Sequence, residues 1–375
     1  MRVKIFNLAK IQISIIIFLT FISDFIRFLT QDKFIHFSIM CLLFIFILAN
    51  IIYKKFILNR IVLYLLCLFI TMFICHLINL EVNLRASILF LSYSVVFLLL
   101  ADYITEKDIN LNVKISFWTL VILYVFFILS AFRYGLSPDS VNSYLNHFSR
   151  NILAAMFLFH QILYSSFYFK KNAKLPIVTT IFTFIISIFC YGRSGIFYSF
   201  ILLFFSIAYN AKGKNTYKYI LTFIFFLSLI FLFLLKEQIL LLIQNSTNFK
   251  YGLDSPRFSI IEEYFKSFSF YNFIFGLDLS ELKTIQLYDN NTHNFLLQSH
   301  SQFGIFFIIF IIFIIFIIFI IFKYMFKKKK YVYLVFTLIL LSRGLIDTIV
   351  LFANFDFILY IILLISIKEK KCRFH

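Results

Sequence analysis

Three short stretches of this chain combine residue types able to hold an anion and to exchange a proton. Tyr191-Gly192-Arg193-Ser194-Gly195 joins two apolar runs. If the second run starts a helix there, its free N–H groups and partial positive charge attract anions, and Arg193 adds a full charge at the same spot. The flanking glycines would let a ligand come close to the backbone. The plainer alternative is a tight turn whose arginine faces lipid headgroups. Ser255-Pro256-Arg257 has the pattern of a Ser N-cap with Pro at the first helical position. A cation in a first turn opposes the helix dipole, so Arg257 is poorly placed for stability alone, and an anionic ligand would resolve the conflict. Thr292-His293-Asn294-Phe295-Leu296 comes shortly before Gly304 and the most apolar run of the chain. A histidine there can act as a general base near neutral pH or orient a hydroxyl. The plainer alternative is a cap or interface residue.

His36, His76 and His160 are weaker candidates, and His300 can lie near His293 without being equivalent to it. No metal-ligand spacing, nucleoside-phosphate loop or Gly-x-Ser-x-Gly is present. Five cysteines form no CxxC, and four of them lie inside apolar runs, so they read as small core residues rather than a disulfide framework. No metal and no cofactor are expected.

The elements that must position these residues are membrane helices. A chain 62% hydrophobic and only 14% charged, with 57 Phe and 3 Pro, has too little polar surface to cover a soluble domain. Twelve apolar runs have the length that crosses a bilayer, at about 11–30, 34–53, 61–80, 87–104, 115–134, 151–169, 175–191, 195–210, 219–235, 303–322, 331–351 and 354–367. The seventh and eighth share a tight turn at Gly192, and the last is short. Arg2, Lys4 and Lys10 ahead of the first run resemble a signal peptide. No small-x-small cleavage pattern follows, and Asp24 and Arg27 interrupt the run, so an uncleaved first span is expected.

Alternate connecting segments, at 1–10, 54–60, 105–114, 170–174, 211–218, 323–330 and 368–375, hold 23 of the 35 basic residues. By the positive-inside rule these face the cytoplasm, with both termini inside. Together with Asp102 at the inner end of the fourth run they contain four acids, so the net charge of +18 is a topology signal. It implies no nucleic-acid partner. The fold class is therefore an all-α integral membrane protein of about twelve transmembrane helices. Residues 1–375 form one polytopic domain, with 236–302 as a long periplasmic or extracellular loop between the ninth and tenth helices. In that loop Ile260, Ile261, Tyr264, Phe265 and Phe268 fall on one helical face away from Glu262, Glu263 and Lys266, as in a helix lying on a membrane or a bundle.

The outer basic residues differ in kind from the inner ones. Seven of those twelve are arginines, Arg27, Arg85, Arg133, Arg150, Arg193, Arg257 and Arg343, whereas the inner set is mostly lysine. Arginine offers a planar fork that binds phosphate or carboxylate at two points. The outer mouth therefore reads as an anion-binding chamber, with local pairing of Asp24 with Arg27 and of Arg343 with Asp347 as the alternative for those two arginines. The run Ile305–Phe322 carries Phe310, Phe313, Phe316, Phe319 and Phe322 at a period of three. Those rings wind around a helix and define no face, so the run reads as a lipid-tolerant span.

The order of these elements resembles that of the bacterial O-antigen polymerase and O-antigen ligase superfamily. The shared pattern is many spans, an Arg-Ser-Gly turn at an outer helix end, a long outer loop with an Arg-bearing helix, then His-Asn-x-x-Leu and a Gly at the next span. Its specific part runs from Tyr191 to Gly304. This chain departs in having Phe275-Gly276-Leu277-Asp278 where the loop often shows Gly-x-Gly, and Cys190-Tyr191-Gly192 where Ser or Thr is usual before the arginine. The resemblance implies that Arg193 and Arg257 hold the diphosphate of a polyprenyl-linked sugar donor and that His293 acts on the acceptor hydroxyl. It implies polyprenyl-diphosphate-linked oligosaccharides as donor and acceptor, membrane lipid around them and a chain-length regulator protein as partner.

The expected function is a glycosyltransferase that polymerises O-antigen or capsule repeat units on the outer side of the bacterial cytoplasmic membrane. An acceptor hydroxyl, assisted by His293 or by a carboxylate such as Glu262 or Asp289, attacks the anomeric carbon, and polyprenyl diphosphate leaves toward Arg193 and Arg257. Arg150, Arg85 and Asn294 are further substrate-binding candidates. One alternative is a ligase that moves finished polymer onto a lipid A core, which would use the same donor. Another, from a different class, is a lipid-linked oligosaccharide flippase, which typically carries matched halves and ionisable residues near mid-membrane. A non-catalytic scaffold would leave the loop's arginine and histidine without a task.

Overall fold

In the computed structural model every regular element is a helix, and no strand occurs among the described residues, which are 2–30, 33–53, 58–78, 84–145, 149–211, 256–288, 290–327, 331–348 and 355–371. The helices are α1 (Arg2–Thr30), α2 (Lys33–Ile52), α3 (Arg60–Ile78), α4 (Leu84–Thr105), α5 (Ile109–Tyr134), α6 (Pro138–Asn142), α7 (Arg150–Asn172), α8 (Ile177–Phe189) and α9 (Arg193–Asn210). They continue with α10 (Pro256–Lys266), α11 (Phe270–Phe275), α12 (Lys283–Gln286), α13 (Phe295–Lys327), α14 (Val332–Gly344) and α15 (Asp356–Lys371). Stretches within five of them, Ile11–Thr30, Phe34–Ile52, Ile109–Tyr134, Arg150–Asn172 and Phe295–Phe319, are long and apolar enough to cross a membrane. Four shorter apolar stretches, Arg60–Ile74, Leu91–Thr105, Ile177–Phe189 and Val332–Gly344, accompany them. The expected ninth span, 219–235, lies outside the described residues. Large apolar side chains stand exposed along these helices, Phe132 at 86% and Phe34 at 75%. Water would not tolerate so much bare apolar surface, but lipid does, and the chain is a helical membrane protein.

The chain divides into two units. The first comprises Met1–Arg27, Asp32–Asp108 and Ser255–His375, and its centre is α15, which holds the short last run expected at 354–367. Phe357 through Ile365 are all at most 3% exposed. A helix apolar on every side must be surrounded, and aromatic contacts show by what. Phe357 meets Phe21 of α1 and Phe97 of α4, while Tyr360 meets Phe69 of α3, which also meets Phe310 of α13. Polar clasps fix α15 against α4 at both ends. At one, Ser94 Oγ donates to Asp356 Oδ2 at 2.6 Å. At the other, Lys368 Nζ reaches Asp102 Oδ1 at 2.7 Å, Thr105 Oγ1 at 2.8 Å and Glu106 Oε1 at 3.2 Å.

Helix α13 does have a buried face: Phe303, Phe307, Phe310, Ile314 and Ile317 are covered, while Phe316 and Phe319 are exposed. The alternation of three and four residues is that of one helical stripe. Uniform Ile and Phe composition conceals it, because nothing polar marks the opposite side. Gly304 lies inside this helix rather than at its start, with φ +54° and ψ −139°, and marks a kink. A Cβ there would collide with the carbonyl of Ile274, and one at Gly276 (φ +96°) with the carbonyl of Ser301. Leu277 N donates to that same Ser301 carbonyl at 2.9 Å. Both glycines thus let α11 cross α13 backbone to backbone.

The second unit comprises Phe28–Gln31 and Ile109–Asp254. Helix α7 is its core, buried almost without a break from Leu153 to Phe167, with α5, α8 and α9 packed around it. A polar seam pins three of these helices. Tyr124 of α5 shares a 2.7 Å hydrogen bond with Thr183 of α8 and donates to the Thr179 carbonyl at 2.8 Å. Gln161 of α7 donates to Ser165 and to Thr180 of α8. His160 is likewise satisfied locally, its Nδ1 lying 2.9 Å from the Met156 carbonyl oxygen. With water absent, such groups must find partners within the fold, and these do.

Candidate active site

His293 is set by the turn that leads into α13. Asn294 starts the helix: its side-chain oxygen accepts from Leu296 N at 2.9 Å and its carbonyl from Gln298 N at 3.0 Å. Gln298 Oε1 in turn accepts from Thr292 N at 3.0 Å, a reciprocal cap. Asn294 is thus engaged as a cap. Between these anchors His293 adopts a left-handed conformation, φ +51°, with its N–H bonded to Asn291 Oδ1 at 2.8 Å. Leu297 packs into the apolar cluster of Ile260, Tyr264, Leu277, Leu279, Leu282 and Ile285, which roots the turn in the loop helices.

The same Asn291 oxygen accepts from Thr348 Oγ1 at 3.1 Å. That bond ties the turn to the segment after α14, where Asp347 N returns to the Gly344 carbonyl. The result is a three-residue line: His293 Nδ1 lies 4.0 Å from Asp347 Oδ1, and Arg343 Nη2 lies 3.5 Å from Asp347 Oδ2. Thr348 N also donates to Asp347 Oδ1 at 3.0 Å. Burial works to raise the Asp347 pKa, but His293, the Arg343 charge and the Thr348 amide outweigh it and hold the carboxyl below its ordinary range. Arg343 is fully buried, whereas the His293 side chain keeps 30% of its surface exposed. An ionised carboxylate facing Nδ1 favours a proton there and leaves Nε2 with a lone pair. Among the described residues no hydrogen bond to His293 Nε2 occurs. At 4.0 Å the His–Asp contact is an ion-pair distance that must shorten to become a hydrogen bond. The His293 ring stands nearly perpendicular to that of Tyr288, centroids 5.6 Å apart.

His300 differs in both nitrogens. Its Nδ1 lies 2.7 Å from the Tyr264 hydroxyl and its Nε2 3.2 Å from the Phe273 carbonyl oxygen. The consistent arrangement is Nε2–H donating to the carbonyl and the tyrosine O–H donating to Nδ1. His300 is a bolt between α10, α11 and α13. Burial raises the Tyr264 pKa further, which keeps that hydroxyl a donor. The apolar stripe expected over 260–268 divides accordingly: Ile260 and Tyr264 of α10 are buried, while Phe265 and, beyond the helix end, Phe268 are exposed. Glu262 pairs with Lys266 at 2.7 Å on the exposed side of α10, both side chains more than half exposed. The side chains of Arg257 and Arg85 lie outside the described residues, as do Ser255 and Asp289.

Arg193 and Arg150 belong to the second unit. Arg193 is the first residue of α9 and is exposed. Its flanking glycines serve close packing: a Cβ at Gly192 would sit 2.7 Å from Asn151 Oδ1, and one at Gly195 2.5 Å from the Ala154 Cβ. The N-termini of α7 and α9 are thereby pressed together, each led by an arginine. Arg150 faces Asp139 and Tyr191, and its N–H is held by Asn142 Oδ1 at 3.0 Å. Tyr191, at φ +54°, donates its hydroxyl to the Leu136 carbonyl at 2.8 Å.

Sequence reasoning reached His293 but treated Arg343 and Asp347 only as a local pair. The available signal was a full ion pair at the end of an apolar run, where an isolated charge is costly. No family model, curated protein or solved structure matches the chain.

Proposed function

We propose that this protein is a membrane glycosyltransferase that polymerises polyprenyl-diphosphate-linked oligosaccharide repeats on the outer face of a bacterial cytoplasmic membrane. The observation that carries the reading is the line His293–Asp347–Arg343, a part-exposed imidazole backed by a carboxylate and a buried cation. In the proposed reaction His293 Nε2 takes the proton of an acceptor sugar hydroxyl, whose oxygen bonds to the anomeric carbon of the donor. The bond from that carbon to the diphosphate oxygen breaks, and its electron pair leaves with the polyprenyl diphosphate. Asp347 stabilises the imidazolium that forms, and Arg343 keeps Asp347 ionised. Arg193 and Arg257 are assigned to the diphosphate, where charge grows in the transition state, and Arg150 and Arg85 to weaker phosphate contacts. This reading adopts twelve spans with both termini in the cytoplasm. The test is the glycan profile of cells carrying Arg193→Ala, Arg257→Ala or His293→Ala. Shortened or absent polymer at unchanged protein level is expected, and full polymer length in all three would overturn the mechanism.

A second reading, a lipid-linked oligosaccharide flippase, is favoured by one observation. Asp24 of α1 is fully buried, and the charges of Arg27 and Asp356 act on it. Ionisable groups inside a membrane unit are common in transporters. Purified protein that lengthens a lipid-linked repeat in detergent, without an energy source, supports the transferase over the flippase.

A further inference from the structure

Asp24 of α1 is fully buried, and neither of its carboxylate oxygens has a hydrogen-bond partner. Arg27, three residues along the helix, acts on it only through charge, with no hydrogen bond closing the pair. A second fully buried carboxylate stands beside it. Phe21, one turn before Asp24, stacks on Phe357 of α15 with centroids 6.0 Å apart, which brings Asp24 next to Asp356. Asp356 is the first residue of α15, where the helix dipole favours a negative charge, and it accepts from Ser94 Oγ of α4 at 2.6 Å. The Tyr360 hydroxyl, buried one turn further along α15, lies near Asp356 and Ser94. Near Arg27 lie Tyr93 of α4 and His36 of α2, their rings almost perpendicular with centroids 5.0 Å apart. Buried beside the Arg27 charge, His36 adds no second cation.

These charges do not balance. Two carboxylates against one guanidinium leave one negative charge in excess, in a helical unit where an uncompensated buried charge is costly. We propose that Asp24 and Asp356 share one proton and form a buried proton-binding site in the first unit. Two carboxylates held close together cannot both ionise freely, and the proton they keep belongs to the pair. Asp356 has the Ser94 donor and the helix dipole to support its charge, so the proton resides mainly on Asp24, which has neither. A metal ion would need a shell of oxygens, and membrane sites for sodium draw on unwound backbone carbonyls. Here α1 and α4 run unbroken through Asp24 and Ser94, so their carbonyls are taken by helical hydrogen bonds. No group of three or more His, Cys, Asp or Glu suited to a metal occurs among the described residues. The site is independent of the transferase reading, whose residues it does not include.

The test is infrared spectroscopy of the full chain, isotope-labelled in its aspartate carboxyls and held in an ester-free detergent at neutral pH. A protonated aspartate C=O band is expected in the parent protein, and its absence overturns the site whatever the variants do. Asp24→Asn and Asp356→Asn should each abolish the band, because the carboxylate that remains is balanced by Arg27. A band that persists in Asp356→Asn would mean that burial alone protonates Asp24, and one that persists in Asp24→Asn would put the proton elsewhere. Either result overturns the sharing. Arg27→Gln should about double the band intensity, since the second carboxylate then needs a proton too. An unchanged band there overturns the charge balance. Exchanging choline chloride for sodium chloride should leave the parent band in place, and its loss would make the pair a sodium site instead. The parent and Arg27→Gln spectra decide the question even if an asparagine variant fails to fold.

Discussion

The imidazole of His293 and the carboxylate of Asp347 face each other at 4.0 Å across two different segments of the chain, joined by the single side chain of Asn291. If Asp347 positions and charges His293, Asp347→Asn should lower turnover by about 10²-fold or more, the range expected of a general base. His293→Ala should do the same, and the double variant should be little worse than either, because the two act as one unit. Turnover of lipid-linked repeats by purified protein checks this. Near-additive losses would separate the two residues.

Arg343 is buried with no exposed surface, and its partner Asp347 is nearly so. Arg343→Met removes the cation while leaving the carboxylate, and should destabilise the protein by about 3 kcal/mol. The measurement is the thermal midpoint in detergent, with Arg343→Met/Asp347→Leu regaining part of the loss.

Acid should weaken the same region. His293, the Arg343 charge and the Thr348 amide hold the folded Asp347 carboxyl below its ordinary range, so ionised Asp347 contributes fully above the unfolded carboxyl's pKa of about 4. Its contribution falls as pH drops through the lower folded value. Asp347→Asn should therefore flatten the acid limb of stability below about pH 4 relative to the parent. An identical acid limb in both proteins would remove Asp347 from the account.

Gly304 has a backbone that only glycine adopts readily, and a Cβ there meets the Ile274 carbonyl. Gly304→Ala is expected to cost about 1–3 kcal/mol in strain and to loosen α11 from α13. Limited proteolysis between 270 and 290 should then accelerate. Unchanged cleavage would mean that the crossing does not depend on the glycine.

Near the C-terminal end of α15, Lys368 neutralises the fully buried Asp102 at 2.7 Å. Lys368→Met should destabilise by about 3–5 kcal/mol by leaving that charge uncompensated. Adding Asp102→Leu should recover most of it. Expression level and thermal midpoint report both.

Much of the organisation was legible along the chain. Apolar runs marked the helices, because in lipid every backbone polar group must be satisfied within its own segment, and a helix does that residue by residue. The start at Pro256, the helix entry beside Asn294 and the break at Gly192 follow from local capping and turn chemistry in the same way. Interhelical partners were not legible, since apolar residues on all sides give no period to read. The central position of α15 and the buried stripe of α13 depended on which helices surround them, and the local role of Gly192 and Gly195 on the nearness of Asn151 and Ala154.

His293 could be found from the sequence because a histidine among polar residues at a helix entry is locally unusual. Asp347 could not be assigned to it, because one oxygen of Asn291 brings together segments that no local pattern relates. By itself the sequence determined which segments are helical and which residue types stand at their ends. Only the tertiary structure decided which of those ends face one another. Helix formation is local hydrogen bonding, whereas a buried polar contact between distant segments forms only where the packing of whole helices brings two side chains together.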